Sequence, residues 1–300
     1  MFSKKILILL FFSLFLTACF ETKKITYQDS NHLMSSTQVI RDIKTVNFMG
    51  EDINLDEHNF FRERIEREFY IIVDNIYQYK LWVKRTGKYF PYFEEKLQEY
   101  GLPDDLKYLA VAESFLRHEA YSSVGASGLW QFMPATAREY GLLVNDYVDQ
   151  RNDYTLSTIS AFEYLSYLGG LFDYDWKLAL SAYNKGQGAL SNTIVRQGSD
   201  DYFDLLLNTE TRRFVPRILA IKLAYENREK LGLNLKEEDY YFFPDYELRE
   251  VEQIQDIYSY LNENNISVYD FIKLNPWINI NQNKLPLRDD GQNWTIKIPI

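Results

Sequence analysis

Apolar residues along this chain recur mostly at the helical period. Ile65, Phe69, Ile72, Val73, Ile76, Tyr79 and Val83 form a stripe spaced near 3.6 and interleaved with Arg and Glu, which predicts an amphipathic helix from Phe60 onward. Gly87 and Pro91 punctuate the stripe, and a second helix is predicted over roughly 91–99, closed by Tyr100-Gly101. A third spans Leu102 to Glu113. Pro103 suits a first helical position, and Asp104 and Asp105 suit the positive end of the helix dipole. Further helical patterns cover 155–169, 175–184 and 211–230. Strand-like alternation is scarce until the last fifty residues. There, 240–244 reads as extended, 250–262 and 267–274 as short helices, and 294–299 as an alternating strand. The pattern predicts a mainly α body over 59–235 and a small α+β unit over 240–300. Residues 19–58 are polar, lack apolar periodicity and read as a tether.

In the third helix Leu106, Leu109, Ala110 and Glu113 fall at i, i+3, i+4 and i+7, so the carboxylate shares a face with apolar residues. A carboxyl on such a face loses solvation, its neutral form is favoured, and it can donate a proton near neutral pH. A Glu whose carboxylate turns outward at a helix end fits the local pattern as well or better. The residues that follow change that balance.

Composition narrows the chemistry. The 300 residues carry a net charge of −10, which argues against a nucleic-acid partner. Three His and one Cys are too few for a plausible zinc site, no phosphate loop is present, and no metal or cofactor is expected. Aromatic residues reach 16%, which fits either a groove that stacks against sugar rings or a Tyr-rich core. Residues 1–18 read as a signal peptide: Lys4-Lys5, an apolar run from Ile6 to Leu16 too short to span a bilayer, then Leu16-Thr17-Ala18 before Cys19. Leu-x-Ala-Cys resembles the lipobox of bacterial lipoproteins, in which Cys19 becomes the lipid-bearing first residue. By resemblance to lipoprotein sorting rules, Phe20 rather than Asp after that Cys implies the periplasmic face of the outer membrane.

Four blocks carry the chemistry. They are Glu113-Ser114; Ser122 followed by Gly125-Ala126-Ser127-Gly128-Leu129-Trp130-Gln131-Phe132-Met133-Pro134-Ala135-Thr136; Ala182-Tyr183-Asn184-Lys185-Gly186; and Glu210-Thr211. In this order and at these separations the set resembles the lytic transglycosylases, bacterial enzymes that cleave peptidoglycan glycan strands on a goose-type lysozyme scaffold. The blocks cover about residues 95–225. Tyr100-Gly101-Leu102-Pro103, Leu274-Asn275-Pro276 and Ile298-Pro299 resemble the D subgroup of the membrane-bound murein transglycosylases. In that subgroup a LysM-like region follows the catalytic domain. Here that region is a single divergent unit, read as a structural brace or as a weak glycan-binding module.

The resemblance implies a non-hydrolytic cleavage of the MurNAc–GlcNAc bond that leaves 1,6-anhydroMurNAc ends, with Glu113 acting first as acid and then as base. It places Ser122, Gln131, Met133, Ala182, Tyr183 and Glu210 against substrate, with Ser114, Gly125, Gly128 and Asn184 in support. Gln131 and Met133 alternate along what reads as one extended segment, so both are expected to face the groove. Gly125 and Gly128 fit either a close approach to sugar or a plain turn, Trp130 either core or sugar platform, and Glu210 either a groove carboxylate or a helix-end charge. Phe214 stands where many relatives carry Tyr. A hydrolytic muramidase and a non-catalytic peptidoglycan-binding lipoprotein are the alternatives.

Overall fold

The computed structural model describes residues 34–300; the signal peptide, Cys19 and the first part of the expected tether lie outside them. Helix α1 (Ser36–Asp42) leads into a two-stranded hairpin, β1 (Thr45–Phe48) and β2 (Glu51–Asn54). The tether reading therefore does not extend to these residues. Val39, Ile40, Val46, Phe48, Ile53 and Leu55 are all buried in the main core. Thr45 and Asn47 face out while Val46 and Phe48 face in, and β2 buries only Ile53, so the apolar side is too short to show as a pattern. Burying each such side chain contributes about 1.5–3 kcal/mol.

Two long helices follow, α2 (Asn59–Asp74) and α3 (Ile76–Tyr100). The apolar stripe runs through both, and the break falls at Asn75, whose side chain accepts the Gln78 N–H as an N-cap. The expected breaks at Gly87 and Pro91 do not occur, because α3 continues through them. Gly87 is where the 240–242 segment crosses the helix. A Cβ there would lie 2.9 Å from both Tyr240 Cβ and the Tyr241 carbonyl oxygen. Beyond the left-handed Gly101, a 3₁₀ turn at Asp104–Leu106 starts α4 (Lys107–Ser114), which carries Glu113. Asp105 does more than favour a helix dipole. It accepts the Met49 N–H at 2.8 Å and pairs with Lys222 at 2.5 Å, tying hairpin, α4 and a later helix together.

Five more helices complete the body: α5 (Pro134–Glu139), α6 (Tyr154–Leu171), α7 (Trp176–Lys185), α8 (Gln187–Gln197) and α9 (Thr209–Glu226). Helix α9 packs against α2, α4 and α7 and forms the spine of the domain. Most of the aromatic surplus belongs to the core, with Tyr79, Trp82, Phe93, Trp130, Phe162 and Phe214 fully buried. The C-terminal unit is β3 (Tyr246–Val251), α10 (Ile257–Glu263), α11 (Val268–Leu274) and β4 (Trp294–Pro299), with the strands paired antiparallel in a βααβ arrangement. Buried Asn275 holds it together: its amide donates to the Phe271 and Lys297 carbonyls, and its oxygen accepts the Lys297 N–H.

Candidate active site

Helix α4 is buried almost throughout, and Glu113 near its end is half-buried. The helix stops there because Phe115 and Leu116 adopt left-handed φ values of 51° and 57°. Arg85 secures that turn by donating to the Phe115 carbonyl at 3.1 Å. Among the described residues nothing hydrogen-bonds the Glu113 carboxyl. Burial pushes its pKa up to about 8, the Arg217 guanidinium opposes the shift, and the Glu210 carboxylate adds to it. Half-buried, the side chain is not turned fully to solvent.

The 120–133 loop is held mainly from below. Arg151, only 4% exposed, donates from Nη1 to the Gly125 carbonyl at 2.7 Å and to the Phe132 carbonyl at 2.9 Å. Its Nε and Nη2 grip Asp149 at 2.8 and 2.6 Å. Gly128 has φ +83°, and a Cβ there would sit 1.9 Å from the Arg151 carbonyl oxygen. The close backbone approach that demands glycine is therefore to Arg151, not to a sugar. Trp130 is core, with its indole N–H donating to Thr158 Oγ1 at 3.0 Å.

Several expected substrate contacts take other positions. Gln131 is not extended. It has φ +49°, and its amide donates to the Ala120 and Gly128 carbonyls at 3.0 and 2.8 Å, so it braces the loop from within. Ser122 Oγ accepts the Ala126 N–H at 2.9 Å. Ala182 is fully buried, so its methyl cannot touch a ligand. Met133 is exposed beside the loop. Ser114 is buried and its hydroxyl donates to the Ala110 carbonyl within α4.

The third and fourth blocks meet. Tyr183 donates its hydroxyl to the Trp130 carbonyl at 2.7 Å, not to Glu113, although it lies close enough to feel that carboxyl. With its proton engaged, the phenol oxygen faces a ligand or Glu113 as an acceptor. Burial and then the Glu113 charge push the Tyr183 pKa upward, so the phenol stays neutral. Asn184 Oδ1 accepts from Thr211 Oγ1 at 2.9 Å, joining α7 to α9 as a brace. Glu210 is exposed in the first turn of α9, within electrostatic reach of Glu113. It is at once a helix-end charge and a group beside the acid. Phe214 is fully buried in the core. A cleft of about 630 Å³ lined by Thr136, Glu139, Tyr140, Tyr164, Tyr167 and Gln187 opens alongside. The Tyr164 ring lies 5.3 Å from that of Tyr183.

Residues the motifs did not reveal complete the electrostatics. Glu68 on α2 is 2% exposed and binds Arg67 at 2.6 Å, Arg213 at 2.6 Å and Arg217 at 3.3 Å. Burial alone would push its pKa up, but the Arg213 and Arg217 guanidiniums outweigh that and hold it below the usual carboxylate range. Glu68 thereby engages Arg217, the cation that among the described residues opposes the rise in the Glu113 pKa. A signal for it existed: Glu68 falls at i+3 from Ile65 on the buried stripe, the same logic that singles out Glu113. Arg151 had no such signal, since the carbonyls it holds lie 19 and 26 residues away.

Residues 91–205 match the family model described as Transglycosylase SLT domain. Over these residues the chain is similar to that family. Across the wider chain it is similar to the membrane-bound lytic murein transglycosylase D of Escherichia coli (strain K12), 29% identical over 223 residues that cover 73% of this chain and 49% of the relative. A putative tributyltin chloride resistance protein of Alteromonas sp. (strain M-1) is 35% identical over 115 residues, 38% of this chain and 56% of the relative. The peptidoglycan transglycosylase gp16 of Escherichia phage T7 is 34% identical over 119 residues, 39% of this chain and 9% of the relative. The chain spans about half the length of the first curated relatives it matches.

The Glu113 environment gives a pH expectation. An unfolded Glu releases its proton near pH 4.3, whereas folded Glu113 keeps it until about pH 8. Between those values the folded state binds more protons, so this group makes stability fall as pH rises. Glu113→Gln, which cannot ionise, should gain stability relative to the parent between about pH 5 and 8, measured by urea denaturation at several pH values. An unchanged difference across that window would contradict the desolvated carboxyl.

Proposed function

We propose that the protein is a lytic transglycosylase that cleaves the MurNAc–GlcNAc β-1,4 bond of peptidoglycan without water. The observation that carries this reading is one desolvated, proton-bearing carboxyl, Glu113, beside the Tyr183 phenol. Glu113 donates its proton to the glycosidic oxygen as the C1–O bond breaks. The C6 hydroxyl of the same muramic acid then attacks C1, and the Glu113 carboxylate takes the hydroxyl proton. The acid is regenerated and the new end is a 1,6-anhydro ring. An intramolecular hydroxyl has a high effective molarity, so no enzyme nucleophile is needed. A carboxyl with a pKa near 8 suits both halves of this cycle at neutral pH. The test is incubation with purified sacculi. Release of soluble glycan fragments is expected, and a well-folded protein that releases none would contradict the reading.

One observation favours a hydrolytic alternative. Glu210 is a second carboxylate within electrostatic reach of Glu113, and inverting glycosidases pair an acid with a base that activates water. Its exposed place at a helix start leaves the internal nucleophile as the better account.

The lipobox-like residues before Cys19 support a lipid anchor at the envelope, consistent with the membrane-bound relative. Stable anchoring takes more than one acyl chain. Cys19→Ala should move the protein out of the membrane fraction or block its maturation, and full retention would overturn the anchor.

A further inference from the structure

We propose that the C-terminal βααβ unit is a positioning element for the helical body: docked on the 144–154 strap, it sets Asp149, and through Arg151 the loop that carries Gly125 to Phe132. This rests on reading that loop as part of the active site.

The strap lies between the two. On its outer side the Asp149 N–H donates to the Trp277 carbonyl at 2.7 Å, and the Asn279 N–H donates to the Tyr147 carbonyl at 2.9 Å. The Asn279 side-chain amide adds a bond to the Asp146 carbonyl at 2.8 Å. Val148 pairs with Ile278 as an antiparallel bridge. Val148 is 1% exposed and belongs to the core of the C-terminal unit, with Trp277, Ile278 and Trp294. A segment of the catalytic body thus completes the small unit's core.

The inner side of the same strap holds the loop. Asp149 grips Arg151 through two hydrogen bonds, and Arg151 spends its third nitrogen on the carbonyls of Gly125 and Phe132. Asn152 Oδ1 accepts from Ser127 Oγ at 2.9 Å. Asp149 is the junction, with its backbone N–H committed to the C-terminal unit and its carboxylate committed to Arg151. A shift of the C-terminal unit by a fraction of an ångström displaces the two carbonyls that bracket the Gly128–Gln131 turn. Loop residues so placed are expected to govern kcat more than substrate binding.

The test uses the full chain. Asn279 has φ −78°, which proline accepts, so Asn279→Pro removes two of the three hydrogen bonds that dock residues 146–149 without forcing the backbone. Asn279→Ala removes only the side-chain bond, together with a cap on one short turn, and serves if the proline variant folds poorly. Two readouts are taken. Amide hydrogen exchange requires no activity: Asn279→Pro should speed exchange across 120–132 as well as at the dock. Faster exchange confined to 146–149 and 277–281 would overturn the proposal even if the protein proves not to cleave glycan. On sacculi, kcat should fall about tenfold with KM within about twofold, the equivalent of about 1.4 kcal/mol. A cycle with Arg151→Lys, which keeps the charge and loses the fork, should be non-additive: the double variant should be little slower than Arg151→Lys alone. Multiplicative losses, or an unchanged kcat in Asn279→Pro, would show that the dock does not act through Arg151.

Discussion

Glu113→Gln lowers the rate of glycan release from sacculi by a factor of about 10²–10⁴, the usual contribution of a positioned acid–base group. The amide keeps the shape of the side chain and cannot donate a proton to a leaving oxygen. The surroundings offer no substitute. Tyr183 has its proton on the Trp130 carbonyl, and burial alone still raises its pKa in the variant. Glu210 is exposed in the first turn of α9. Folding is expected to survive, because among the described residues the Glu113 carboxyl makes no hydrogen bond for glutamine to lose. Turnover near the parent rate in a folded Glu113→Gln protein would remove Glu113 from the mechanism.

Gly128→Ala is expected to destabilise the fold by roughly 3 kcal/mol or more, at the severe end for a single substitution, and to reduce activity at least tenfold. Two effects add. A left-handed φ costs an alanine roughly 1–2 kcal/mol, and Gly128 has φ +83°. In addition the new methyl would lie 1.9 Å from the Arg151 carbonyl oxygen. That backbone cannot yield without loosening the Arg151 bonds to the Gly125 and Phe132 carbonyls. Gly125→Ala is the control. Its φ is +92°, but the methyl would meet only Tyr121 Oη at 3.7 Å, so the conformational cost stands alone. Chemical denaturation of both variants separates the terms. Equal losses would show that the approach to Arg151 does not constrain the loop.

How much of this was legible beforehand follows from the range of the interactions. Helices such as α7 and α9 were readable because a buried stripe repeats over several turns, and α6 because its apolar run is too long for a strand. The α2–α3 break was misplaced because the stripe continues across Asn75, while the glycine and proline that suggested a break sit inside α3. Gly87 is there for a tertiary reason, the crossing of the 240–242 segment. Helix α8 was missed: Gly188, Ser191, Asn192 and Thr193 have weak helix propensity, and packing against α7 compensates. The short hairpin was hidden by its polar outward residues.

At the candidate site, the spacing around Glu113 pointed to a desolvated carboxyl; the residue is half-buried, and burial pushes its pKa up. The structure places the motif residues in and around the 120–133 loop and the α7–α9 contact, but what each side chain touches was not readable. Gln131 and Ser122 use their side chains within the loop, and Ala182 is core. Asp149 and Arg151 were invisible because their work depends on a contact that only the fold creates.

The account stands or falls on the chemistry of the new glycan end, and mass analysis of soluble products from purified sacculi reads it directly. If the substrate's own C6 hydroxyl is the nucleophile, each new muramyl end is lighter by one water than a hydrolytic end. The account predicts 1,6-anhydromuramyl products with the parent protein and none with Glu113→Gln. Reducing muramic acid ends from the parent protein would contradict it and establish hydrolysis instead.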